Sequence, residues 1–281
     1  MVSVIIPARE EPFLMLTIRD VLAKALGDVE VLVGLNGWEP DSRIADERVR
    51  YFQVPATETS QMRHIINQGA DMARGDYLMK LDAHCMVGDG FDEVLTRDHE
   101  PDWVQVPRRH RLAPETWSLQ WERCPIDYEY LRWEPLSQRY YFTGEKWDAL
   151  TQARLEIPSD DILVMQASCW FMAREWFRTR GFMQTEGYGG WAQEGPEVAW
   201  ETLQAGGKVK VNKNTWYAHF HKRGPYSKLY WVDTQEIYAG YAYSYRHWIH
   251  DNKDFFIDLI ERFAPLPGWP DNWKEILWHT S

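Results

Sequence analysis

The segment Asp76-Tyr-Leu-Met-Lys-Leu-Asp82-Ala-His84-Cys85 brings a carboxylate and an imidazole to one point of the chain. Residues two apart in an extended strand project to the same side, so Asp82 and His84 leave the end of a strand together. A mixed oxygen and nitrogen donor set suits a divalent cation, Mn²⁺ before Mg²⁺. Such an ion can bridge two phosphates and stabilise the negative charge that develops on a departing nucleoside diphosphate. As plain structure, Asp82 would instead cap the next turn beside a surface histidine. A second feature fits an anion. From Thr202 to Val232 there is no Asp or Glu, while Lys208, Lys210, Lys213, Lys222, Arg223 and Lys228 lie there.

These residues need a scaffold, and the first hundred residues supply one. Val2–Pro7 reads as a short, β-branched, buried strand, followed by a helical pattern over Leu14–Ala25. Strands at Val29–Leu35 and Arg48–Val54, a helix over Ser60–Ala73 with Ser60 as N-cap, and a strand at Tyr77–Leu81 complete a β-α-β-β-α-β order. That order implies an α/β fold with an open, mostly parallel sheet flanked by helices and a ligand crevice at the strands' carboxyl ends. Pro7, Ala8, Arg9 and Glu10 would line that crevice. Arg63, on the helix before the fourth strand, could reach a phosphate or base, or simply face solvent.

The rest is less regular. Pro101–Pro135 reads as loops and short strands, Ile162–Ala173 as a central strand with its flanks, and Gly187–Gly190 as a loop. Pro196–Ala205 reads as a helix ended by Gly206-Gly207, and Lys208–Val211 as a strand. Leu229–Trp248 and the tail from Phe255 are helical. The expected organisation is one domain over 1–223, with a nucleotide-binding half at 1–100 and an acceptor half at 101–223. A C-terminal helical extension follows at 224–281.

Composition excludes disorder, and a net charge of −11 opposes general binding to nucleic acid or anionic membranes. Three widely spaced cysteines form neither a disulfide framework nor a zinc site, which fits a reducing compartment. The apolar run at the N-terminus is too short for a signal peptide or a membrane span, so a soluble, cytoplasmic protein is expected. Oligomeric state is not encoded in any pattern.

Three motifs in order resemble a known family. Ser3-Val-Ile-Ile-Pro7 with Glu10 looks like the first strand of family 2-like glycosyltransferases. Ala73-Arg-Gly-Asp76 leading into Leu81-Asp-Ala-His-Cys85 resembles the polypeptide N-acetylgalactosaminyltransferases, which carry a DxH metal motif. Trp191-Ala-Gln-Glu194-Gly-Pro-Glu197 resembles their W-G-G-E-N-x-E loop, and Ala218-His219-Phe-His-Lys222-Arg223 their G-H-V-F-R-K segment. Over residues 2–223 the resemblance implies a GT-A (Rossmann-like) fold, Mn²⁺ and a UDP-sugar donor. It also implies transfer to a hydroxyl with retention of configuration, and His219 as third metal ligand beside Asp82 and His84. Lys222 and Arg223 would screen the diphosphate. Trp191 would form a wall against a sugar face. Glu194 and Glu197 would contact sugar hydroxyls or acceptor, or merely serve the helix dipole.

Departures leave alternatives open. Asn36 stands where the second strand of such enzymes ends in an Asp that contacts the nucleotide, and Gly195 replaces the Asn of the loop. The hydroxyl acceptor could be a protein, a glycan or hydroxymethylated DNA. For the last, Pro107-Arg108-Arg109-His110-Arg111 and the basic stretch would form a rim for phosphates. An inverting enzyme would use Glu194 as general base. A non-catalytic sugar-binding module is the bland alternative.

Overall fold

The computed structural model describes residues 1–57, 59–133, 141–222 and 233–279. In chain order these form β1 (Val2–Ala8), α1 (Leu14–Lys24), β2 (Val29–Asn36), β3 (Val49–Val54), α2 (Met62–Met72), β4 (Tyr77–Leu81), β5 (Cys85–Val87) and α3 (Phe91–Arg97). There follow β6 (Trp103–Ala113), β7 (Ser118–Leu119), β8 (Glu129–Leu131), β9 (Gly144–Lys146), α4 (Asp148–Ala153), β10 (Ser159–Asp161), β11 (Cys169–Ala173) and α5 (Arg174–Arg180). The chain continues through α6 (Glu194–Gln204), β12 (Lys208–His219), α7 (Thr234–Arg246), a π turn at His247–Asp251, α8 (Lys253–Phe263) and α9 (Trp273–His279).

The main sheet runs β10-β12-β6-β11-β4-β1-β2-β3. β1 pairs in parallel with β2 and β4, and β2 with β3. β11 opposes both β4 and β6, and β12 runs parallel to β6. It follows that β1–β4, β6 and β12 all point one way, while β11 and the edge strand β10 oppose them. The carboxyl ends of β1, β2, β4 and β12 and the start of β11 therefore share one edge of the sheet. β1 and β2 are covered on both faces, which is why they read as unbroken apolar runs.

The second half departs from its sequence pattern. β6 is a central, 11-residue strand where loops were expected, because its inward positions include polar residues that hide the alternation. Gln105 donates to the Leu95 carbonyl, and the Arg109 guanidinium bonds Glu129 and Gln166. β11 begins only at Cys169; Ile162–Ser168 is a buried, irregular run along the sheet edge. β12 extends past Val211 to His219 through a bulge after Asn212. α2 starts at Met62 behind Gln61 rather than Ser60, whose hydroxyl accepts a long 3.4 Å bond from the Met62 amide. Residues 229–232 of the expected last helix lie outside the described residues, and α7 starts after Asp233, whose side chain caps Gln235 N.

The C-terminal helices pack on the same core as the sheet. Trp248 meets Trp200 edge-on at 5.4 Å, and the cluster continues through Phe256 to Leu277. Among the described residues, no helix is long and apolar enough to cross a membrane.

A buried ion pair fastens α2 to the segment leading into α6. Arg63 and Glu197 are both fully buried and in direct contact. The guanidinium also bonds the carbonyls of Gln184 and Ala192 and sits 4.7 Å over the Tyr188 ring. Glu197 accepts in turn from Gln184 N at 2.8 Å. Removing one partner strands a buried charge, so Arg63→Ala should lower unfolding free energy by about 3–5 kcal/mol. The double change Arg63→Met/Glu197→Met should cost less than either single change. Urea denaturation checks both; a harmless Arg63→Ala would refute the role.

Candidate metal centre and cavity

A cavity of about 770 Å³ opens at the shared carboxyl edge of the sheet. Asp82 enters it directly after β4, His84 two residues later, and His219 at the end of β12. Backbone pairing sets this meeting: His219 lies opposite Cys85 in the β12–β5 ladder, and Phe220 N donates to the His84 carbonyl. Their potential ligand atoms all lie within 4.8 Å of one another. Asp82 Oδ2 is 3.4 Å from His219 Nε2 and 3.9 Å from His84 Nε2. Neighbouring ligands of an octahedral ion with bonds of ~2.1 Å stand ~3 Å apart, so small adjustments would seat one.

The protonation states favour a cation. Burial pushes the His219 imidazole down to about 3, so it is neutral at physiological pH, as a metal ligand must be. Both His219 ring nitrogens are buried without a hydrogen-bond partner, and a metal would relieve that costly state at Nε2, the nitrogen that faces Asp82. Burial alone would raise the Asp82 carboxyl, but the Lys80 ammonium together with His219 and His84 outweighs it and holds Asp82 well below the usual carboxylate range. His84 Nδ1 contacts Glu11 Oε2 at 3.0 Å, which fixes the tautomer that leaves Nε2 for an ion.

The other expected residues fall into two groups. Pro7, Ala8, Arg9, Asn36, Trp191, Glu194 and Lys222 line the cavity with the metal cluster. Asn36 is buried, and its Oδ1 has no hydrogen-bond partner. Glu194 is held by Trp170 Nε1 at 2.8 Å and lies 3.5 Å from Lys80 Nζ; burial raises its carboxyl above the ordinary value, and Lys80 opposes this only in part. Lys222 pairs with Glu11. Outside the cavity are Glu10, which takes a positive φ of 47°, and the Arg63–Glu197 pair, both of whose members are spent on structure. Arg223 lies outside the described residues.

Two residues escaped the sequence reading. Glu11, next to the expected Glu10, supports His84 and Lys222; only the turn geometry after β1 decides which of the two adjacent glutamates faces inward. Lys80, a lysine in an otherwise apolar strand, is 2% exposed and joins Asp82 to Glu194. Its alternation with Asp82 and His84 was the available signal. Gly195 also gains a reason: a Cβ there would stand 2.2 Å from the Met165 carbonyl, so no Asn fits.

Among the described residues of the basic stretch, two lysines have acid partners and a third bonds neutral oxygens. Lys210 pairs with Asp161, Lys213 bonds Tyr128 and the Arg154 carbonyl, and Lys222 meets Glu11. In the second basic run Arg108 pairs with Asp127 and Arg109 with Glu129.

No protein-family model matches the chain. Over 170 residues it is 29% identical to human polypeptide N-acetylgalactosaminyltransferase 12, a match that covers 57% of this chain and 27% of that enzyme. A crystal structure of GalNAc-T7 with UDP, GalNAc and Mn²⁺ superposes with a TM-score of 0.68 at 18% identity, over 98% of this chain and 53% of the other. The chain thus spans about a quarter of the curated relative and about half of the solved one. The likeness establishes the GT-A fold.

If the three residues form one metal site, Asp82→Asn and His219→Ala should each weaken Mn²⁺ binding at least tenfold, with melting temperatures near wild type. Titration of the free Mn²⁺ signal by electron paramagnetic resonance reads the affinity. Wild-type affinity in Asp82→Asn would dismiss the site.

Proposed function

We propose that the protein is a metal-dependent glycosyltransferase that moves a sugar from a UDP-sugar to a hydroxyl acceptor with retention of configuration. The observation that carries the reading is the Asp82–His84–His219 cluster at the carboxyl edge of the sheet, inside the cavity. The likeness in fold to GalNAc-T7, solved with UDP, GalNAc and Mn²⁺, supports it. So do the matched sequence motifs, on which retention itself rests.

The chain's own groups divide the work. Asp82, His84 and His219 would hold Mn²⁺ or Mg²⁺, which supplies charge neutralisation for the departing diphosphate. At the end of β2, the unpartnered Asn36 Oδ1 would accept an N–H from the uracil ring, compensating a buried acceptor that otherwise lacks one. Pro7, Ala8 and Arg9 would frame the nucleotide. Lys222, at the cavity wall, can turn from Glu11 toward a phosphate oxygen. Trp191, exposed on one face at the rim, offers an apolar wall to a sugar ring.

Glu194 suits positioning of the donor sugar. One oxygen is fixed by the Trp170 indole and the other faces Lys80, so the carboxylate is oriented before any ligand arrives. Its burial-raised carboxyl favours one second reading, an inverting enzyme with Glu194 as general base. The anomeric configuration of the product decides between them. The acceptor is a hydroxyl of a protein, a glycan or hydroxymethylated DNA. The pairing of the described basic residues gives the last no added support.

A thermal-shift and hydrolysis screen of nucleotide sugars, with and without Mn²⁺, tests the whole reading. One UDP-sugar at 100 times its Kd should stabilise the protein by about 2.7 kcal/mol, and only with metal. No response to any nucleotide sugar would sink it. Glu194→Gln should keep Mn²⁺ binding within twofold of wild type while transfer falls on the order of a hundredfold or more. Undiminished turnover in Glu194→Gln would remove Glu194 from the chemistry.

A further inference from the structure

Lys80 is out of place in its strand. β4 lies inside the sheet, with Ile5 of β1 and Trp170 of β11 flanking the lysine. The ammonium is nevertheless buried there, with two hydrogen-bond acceptors and a second carboxylate at ion-pair distance. Nζ is 2.6 Å from Asp82 Oδ1, contacts the Ala167 carbonyl, and is 3.5 Å from Glu194 Oε2. The other Asp82 oxygen, Oδ2, is the one that faces both imidazoles. Lys80 near the end of β4 and the two histidines meet different oxygens of Asp82, the lysine Oδ1 and the imidazoles Oδ2.

We propose that Lys80 is a positioning residue that confines Asp82 to coordination through Oδ2 alone, and thereby tunes the site to a small, six-coordinate cation against Ca²⁺. The inference rests on the reading of Asp82, His84 and His219 as metal ligands. A carboxylate can offer one oxygen or two. Ca²⁺ takes six to eight oxygens at long bonds and readily uses both, whereas Mg²⁺ demands near-ideal octahedral geometry. Engaging Oδ1 with a buried ammonium removes the second oxygen from the metal's reach. The lysine cannot swing aside without taking its buried charge away from its partners. Its positive charge also opposes the cation, so the arrangement gives up some affinity and gains a fixed ligand.

The direct test is a crystal structure of the wild-type protein loaded with Mn²⁺, the ion located by anomalous scattering. One Asp82 oxygen on the ion, with the Lys80–Oδ1 bond kept, is the expected result. Two Asp82 oxygens on the ion, or a displaced Lys80, overturns the proposal and leaves the metal reading intact. A wild-type protein that takes up no Mn²⁺ overturns the metal reading and the proposal with it. The second measurement is competition between Ca²⁺ and Mn²⁺ followed by electron paramagnetic resonance in Lys80→Met, and in Lys80→Met/Glu194→Gln, which removes the carboxylate left unpaired. Freed from the ammonium, Asp82 should admit Ca²⁺, raising the Ca²⁺/Mn²⁺ affinity ratio roughly tenfold. A merely structural lysine predicts equal loss of both ions; an unchanged ratio in a folded variant therefore overturns the proposal.

Discussion

The architecture depends on charge compensation at the carboxyl edge of the sheet. Asp82, Glu194 and Glu11 crowd one cavity, and two of the three are buried. Isolated carboxylates in such a place would take up protons rather than stay ionised. Lys80 stands between Asp82 and Glu194, and Lys222 meets Glu11. One shell out, Arg63 matches Glu197 and Arg109 matches Glu129. Glu194, Glu11, Glu197 and Glu129 each have a cation brought from a different segment, so charge balance there ties distant parts of the chain together. Such pairs contribute little net stability against an apolar core, but they are costly to break, and they fix where each carboxylate points.

This division separates residues that look alike in the sequence. Glu194 and Glu197 lie three apart in the first turn of α6, yet one faces the cavity and the other is enclosed by Arg63, Gln184 N and the Tyr188 ring. The enclosed pair orders the 184–192 segment, and with it Trp191. Close approach does the rest: a Cβ on Gly190 would stand 1.6 Å from the Ser60 carbonyl, and Glu236 accepts from both Gly190 N and Ser60 N. The wall that a sugar would meet is therefore held by groups that touch no ligand.

How much of this was legible follows from the range of each interaction. The first half of the sheet and the Asp82–His84 pair could be read because both rest on local periodicity: apolar runs in β1 and β2, and two-residue alternation at the end of β4. His219 came from a motif, since nothing local brings residue 219 to residue 84. Its approach is made by the β12–β5 ladder. β6 was missed because Gln105, Arg109 and His110 are polar yet buried, and their partners come from segments distant in sequence. Arg63, expected to reach a phosphate or base or else to face solvent, is instead enclosed by a segment distant in sequence, which no local pattern reveals.

The basic stretch makes the same point about charge. Read along the chain, an acid-free run in an acidic protein suggests a phosphate partner. In the fold, residues 208–219 of that run are β12, the neighbour of β10 and β6, where Lys210 meets Asp161 and Lys213 bonds a hydroxyl and a carbonyl. An anion-binding surface requires cations whose neighbours do not already answer them. Lys222 does not meet that standard by itself, since Glu11 already answers it, yet it lines the cavity beside the metal cluster. Its partner Glu11 also holds His84 Nδ1, so a diphosphate that drew Lys222 away would leave Oε2 of that carboxylate to the imidazole. The support for His84 and the cation nearest a phosphate are thus one linked group of three side chains.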